Sequence, residues 1–143
     1  MALDRSRLMI QFILETAMIV GFFGACTALY GRYQILPPFL TGPNICKLEE
    51  GGCQALFRTP AAALLGVPNS ALAVVYYPAL AAGLFFHLPL ILLWGISSVA
   101  FVMTVYLAWT LLKNHLECRI CWMGHVCNGV IWTILLIQWI REI

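Results

Sequence analysis

The chain has 143 residues, of which 62% are hydrophobic and 10% charged, with a mean hydropathy of +0.91. Soluble globular domains carry roughly 25% charged residues, so this chain has too few charges to cover a water-facing surface, and a soluble enzyme and a disordered chain are both poor readings. The net charge of +2 is too small and scattered to argue for nucleic acid, which leaves a polytopic membrane protein of the all-α class.

Residues 8–30 predict the first transmembrane helix, apolar apart from Gln11, Glu15, Thr16 and Thr27. Arg5 and Arg7 precede it as they would a secretory signal, and Phe23-Gly24-Ala25-Cys26 faintly resembles a lipoprotein cleavage box. The apolar part of a signal is usually about 7–15 residues; this run is longer and is read as a retained helix. Glu15 is costly in a bilayer, but it lies about two turns from the charged end and is read as reaching back to the interface.

A long loop, residues 31–68, follows and carries Cys46 and Cys53. In residues 71–112 the only ionisable side chain outside the tyrosines is His87. As one helix those residues would run roughly 63 Å, against a hydrocarbon core of about 30 Å, so they must fold back. His87-Leu88-Pro89 supplies a polar ring and a helix breaker near the middle, which predicts a hairpin of helices over 70–86 and 89–112. Residues 117–140 predict the fourth helix, ending at Trp139, Arg141 and Glu142, residue types that anchor at the membrane interface. The expectation is one membrane-embedded domain over 1–143, a four-transmembrane-helix bundle without internal repeats. Both termini then share one side, and residues 31–68 and 113–117 share the other.

Charge counting leaves the orientation open. Arg5, Arg7 and Arg141 lie on the side of the termini, against Arg32, Lys47, Arg58, Lys113 and Arg119 on the other. The total favours termini outside, whereas the flanks of the first helix favour termini inside.

Four cysteines fall on the side of the long loop. Cys46 and Cys53 form Cys-x6-Cys, and Cys118-Arg119-Ile120-Cys121 opens the fourth helix. A Cys-x-x-Cys there puts both sulfurs on one face, and the helix dipole and Arg119 favour the thiolate that attacks disulfides. One pair in a loop and one on a helix suit an electron relay by thiol–disulfide exchange; two structural disulfides would use the same residues. Structural zinc sites space their paired cysteines by two to four residues, typically in both halves, so Cys-x6-Cys is too wide and no metal is expected. Cys127 lies about 180° around the helix from Cys118, and Cys26 stands alone, so both read as core packing. His125 returns to the face of Cys118 and Cys121. It either serves a ligand beside Cys121, with a hydrogen bond or a proton, or is a satisfied buried histidine.

The set Cys46…Cys53, Thr59, Gly66-Val67-Pro68-Asn69-Ser70, Tyr77 and Cys118-Arg119-Ile120-Cys121 resembles the vitamin K epoxide reductase family, particularly its bacterial homologues, over nearly the whole chain. The resemblance implies a four-helix bundle enclosing a quinone (ubiquinone or menaquinone) near the Cys-x-x-Cys. It also implies a thioredoxin-like partner that exchanges electrons with the loop pair. By the same resemblance Cys121 reacts with the quinone, Cys118 exchanges with Cys53, and Cys46 meets the partner. Thr59 and Asn69 lie near the substrate pocket, with Tyr77 and His125 as further quinone-binding candidates. The family's active face is extracytoplasmic, in a bacterial plasma membrane or, in a eukaryote, the endoplasmic reticulum, and this favours termini inside.

Ala73 stands where members often have Gly, and His125 where the animal enzymes have a Tyr near the quinone. The short loop favours a bacterial quinone reductase. Many bacterial members carry a fused thioredoxin-like domain; 143 residues leave no room for one, so a separate partner is expected. Two other chemistries remain as alternatives. A DsbB-type disulfide generator has its two pairs in the opposite order, and a soft-metal transporter would want methionines beside the cysteines, where only Met123 is near. A purely structural membrane subunit is the remaining alternative.

Overall fold

A computed structural model describes residues 2–37, 56–64, 66–114 and 118–142; Cys46 and Cys53 lie outside them. Among the described residues four helices dominate: α1 (Ala2–Tyr33), α2 (Asn69–Phe85), α3 (Leu90–Lys113) and α4 (Arg119–Glu142). α1, α3 and α4 are each long and apolar enough to cross a membrane. α2 is equally apolar but has 17 residues, about 26 Å of helix, slightly less than the ~30 Å hydrocarbon core.

The outer faces carry large apolar side chains, among them Phe12, Phe23, Val75, Val99, Val102, Trp109 and Val126. A surface of that kind is stable against lipid and costly against water. Within the helices most hydroxyls are spent locally: Thr16, Thr27, Thr110 and Thr133 each donate to the carbonyl four residues earlier, at 2.7–3.0 Å. That satisfies a polar group without a partner helix.

α1 packs against α2 and α4, and α3 packs against α4, while α2 and α3 make only slight contact. Leu14, Ala17, Met18, Tyr77, Leu80, Leu93, Ile131 and Leu135 form the buried core. Gly21 lets α1 approach α2, because a Cβ there would run into the Tyr77 ring. Toward the chain termini α3 and α4 are joined by aromatic stacking: Trp94 on Trp139 at 5.1 Å and Phe101 on Trp132 at 4.6 Å, with Trp132 Nε1 donating to Ser98 Oγ at 3.0 Å. The chain reverses between α2 and α3 at residues 86–89, where His87 takes the left-handed φ of 54°. Pro89 cannot donate a backbone hydrogen bond and serves as the N-cap of α3.

The described ends of the long connection are ordered. α1 runs on to Tyr33, past the predicted limit at residue 30. A 3-10 turn (Pro60–Ala62) leads into a small antiparallel hairpin, β1 (Ala63–Leu64) and β2 (Val67–Pro68), paired Ala63 to Pro68 and Leu64 to Val67. Gly66 has φ 85° in its turn, a conformation open to glycine at no steric cost. β2 then feeds directly into α2.

Candidate functional site

Cys118 sits at the N-cap of α4. Its carbonyl accepts the first helical bond from the Trp122 N–H at 3.0 Å, and its Sγ accepts the Cys121 N–H at 3.4 Å. The sulfur thus occupies the place of a Ser or Asp cap, accepting from the third helical residue. An anion there is favoured by the helix dipole. The thiol of Cys118, just outside the spanning helix, is held below its ordinary value. The hydrogen bond from the Cys121 thiol is the main cause; it and the Cys121 and Ile120 amides outweigh burial. Attack on a disulfide requires the thiolate, and this geometry stabilises it.

Cys118 is also sealed. It is 0% exposed and forms a small cluster with Leu36 and Phe57, bordered by Ala28, Leu56, Ile120 and Cys121. Two reciprocal arginine bonds hold the plug in register. Arg32 Nη1 donates to the Phe57 carbonyl at 2.7 Å, and Arg58 Nε donates to the Arg32 carbonyl at 3.1 Å. Thr59 Oγ1 donates to the Leu56 carbonyl at 2.8 Å, and its backbone occupies the N-cap position of the 3-10 turn that follows.

Below the cysteine pair lies a cavity of about 630 Å³, lined mainly by apolar side chains from all four helices. That volume lies within the ~300–1,000 Å³ of small-molecule sites. The weak contact between α2 and α3 leaves the room for it, and Ala73, Ala100 and Gly124 keep its walls thin. Of the residues singled out from sequence, Thr59, Asn69, Tyr77, Cys121 and His125 all line this cavity, together with Ser70. Cys118 sits beside it, behind Cys121. His125 packs edge-on against Trp122, ring centroids 5.9 Å apart, and its Nε2 is buried without a hydrogen-bond partner among the described residues. A buried ring nitrogen in that state is costly unless a ligand completes it. Cys127 is buried in the helix core, not in the cavity lining, and Cys26 is half-buried on α1.

Two cavity residues escaped the sequence reading. Tyr77 Oη donates to Asn128 Oδ1 at 2.8 Å, and Asn128 Nδ2 donates to Thr104 Oγ1 at 2.8 Å. This chain joins α2, α4 and α3 at the depth of the cavity. Asn128 had a readable signal: seven residues after Cys121, it returns to the same helix face, and an amide inside a membrane helix calls for a partner. Thr104 had none.

No curated protein and no solved structure matches the chain. A family model does, that of the Vitamin K epoxide reductase family, over residues 12–136. That stretch takes in α2 and α3, most of α1 and α4, the Cys-x-x-Cys and the cavity lining. The chain belongs to the vitamin K epoxide reductase family, and it is a membrane redox enzyme of that kind.

Proposed function

We propose that the protein is a membrane thiol–disulfide oxidoreductase that takes electrons from a thioredoxin-like partner and reduces a quinone, ubiquinone or menaquinone, in support of disulfide formation. The observation that carries this reading is the placement of Cys121 in the wall of a large apolar cavity, with Cys118 capped and activated directly behind it. A site of that build favours a lipophilic acceptor on one side and a thiol on the other.

In the proposed sequence the reduced partner gives its electrons to the loop pair through Cys46. Cys53 then attacks Cys118 of the Cys118–Cys121 disulfide. The mixed disulfide releases the Cys121 thiolate facing the quinone and is resolved by Cys46, and the reduced helix pair gives its electrons to the quinone. The balance is a dithiol plus a quinone giving a disulfide plus a quinol: two electrons and two protons leave the thiols and none is left over. Thr59, Asn69, Tyr77 and His125 are proposed to bind the quinone head, His125 through its uncommitted ring nitrogen. The domain is proposed to span residues 1–143 as a four-helix transmembrane unit. α2 would make its fourth crossing, the active face would be extracytoplasmic, and the partner would be a separate protein.

The test is steady-state oxidation of a reduced thioredoxin-fold dithiol protein by the purified enzyme in lipid. Turnover should depend on added quinone and vanish in Cys118→Ser and Cys121→Ser. Quinone-independent oxidation, or full activity in Cys121→Ser, would remove the reading.

A further inference from the structure

The Tyr77–Asn128–Thr104 chain ends in a donor with no acceptor for its hydrogen among the described residues. Tyr77 gives its hydroxyl hydrogen to Asn128, and Asn128 gives an amide hydrogen to Thr104. Thr104 Oγ1 is therefore an acceptor within the chain, and its own hydrogen is left over. Every other described threonine donates to a backbone carbonyl, in four cases the carbonyl one helical turn back. Thr104 is 6% exposed and lines the cavity. If the Asn128 amide is turned end for end, the leftover donor moves to Tyr77, which lines the same cavity. In both arrangements the network presents one hydroxyl hydrogen to whatever fills the space. A buried donor without an acceptor is destabilising, so the natural occupant brings an acceptor oxygen to this point.

The position along the helix says which oxygen. Asn128 follows Cys121 by seven residues, so it lies on nearly the same face and about 10 Å deeper. His125, between them, lies about 6 Å below Cys121. On α4, polar side chains therefore meet the cavity at two depths below the reactive sulfur, His125 at the nearer and Asn128, with Thr104 bonded to it, at the farther. A flat acceptor with oxygens at its two ends matches that spacing; one with a single oxygen satisfies only one level.

Resting on the proposed quinone reduction, we propose that Thr104, oriented by Asn128 and through it by Tyr77, donates a hydrogen bond to the quinone carbonyl farther from Cys121. That oxygen gains negative charge as the ring is reduced, so the bond strengthens along the reaction and acts on turnover as well as on binding. Thr104 is the binding residue; Asn128 is a positioning residue that works through it.

The experiment compares Thr104→Val and Thr104→Ser in lipid with a short-tailed 1,4-naphthoquinone as the acceptor. Valine keeps the shape and loses the donor; serine keeps the donor and loses a methyl. Thr104→Val should lower kcat/KM for the quinone by about tenfold, the worth of one hydrogen bond, and Thr104→Ser should restore most of it. Equal kcat/KM in wild type and Thr104→Val overturns the proposal and leaves the quinone reading intact. An equal loss in both variants also overturns it, since a packing defect would not follow the hydroxyl. A wild-type protein that reduces no quinone overturns the reading and this proposal together.

Discussion

Phe57→Ala should unseal Cys118. The Phe57 ring is 6% exposed and lies with Leu36 over a sulfur that has no exposed surface at all. The two arginine bonds reach the backbone of Phe57 and Arg32, so they survive the substitution and keep the segment in place. What is lost is the burial of one aromatic ring, about 2 kcal/mol of the sealed state. Since 1.4 kcal/mol is a factor of ten, the sealed-to-open ratio should fall about 30-fold. The assay is the rate of N-ethylmaleimide addition to Cys118 in the reduced protein, read on the Cys118 peptide by mass spectrometry. Where opening precedes alkylation, the rate should rise by about that factor, and Phe57→Leu should recover most of the protection. A change of less than about threefold in Phe57→Ala would refute the assignment of Phe57 as the cover.

The same labelling, followed against pH, should give Cys118 a midpoint below the ~8.5 of an ordinary thiol, and Cys121→Ala should move it up, because the Cys121 hydrogen bond is the main cause of the lowering. The folded value being depressed, the Cys118 thiolate contributes stability above the unfolded thiol's value and loses it as pH falls through the folded one; an unshifted wild-type midpoint would contradict this. Cys46→Ala or Cys121→Ala should accumulate a Cys53–Cys118 disulfide on non-reducing peptide mapping, because each removes a sulfur that would resolve it; a Cys46–Cys118 bond instead would exchange the two loop roles. Gly21→Val should lower the unfolding midpoint in detergent, since its side chain would enter the Tyr77 ring and overpacking costs about 1–3 kcal/mol. Gly95→Ala, which meets nothing within 4 Å, should not; equal effects would refute the close approach of α1 to α2.

The chemistry of the site was legible where residue type and spacing coincide. Cys118-x-x-Cys121 at a helix start predicts an activated thiol beside a second sulfur, and the structure adds the means, a sulfur acting as the helix cap. His125 was placed on the cysteine face by helical periodicity, but only packing shows that its Nε2 has no hydrogen-bond partner among the described residues. Thr104 could not be told from Thr110 or Thr133: each is a lone hydroxyl in an apolar helix, and whether it bonds its own backbone or another helix depends on tertiary packing. The seal over Cys118 was illegible for a related reason. Leu36 and Phe57 lie 21 positions apart in a loop with no periodicity, and their meeting depends on Arg32 and Arg58 exchanging bonds across it. The width of the cavity follows from α2 and α3 making little contact although they are consecutive, where a helical hairpin would ordinarily pack along its length.

The central claim, that electrons reach a quinone from the Cys118–Cys121 pair, is tested most directly by a single turnover without oxygen. Fully reduced enzyme carrying Cys46→Ala and Cys53→Ala, so that only the helix pair can deliver electrons, is mixed with excess quinone in lipid. Quinol is then followed by absorbance and the thiols by mass spectrometry. The expected result is one quinol formed for each Cys118–Cys121 disulfide, with none in the further variant Cys121→Ser. Quinol formation without that disulfide, or the disulfide without quinol, would contradict the account.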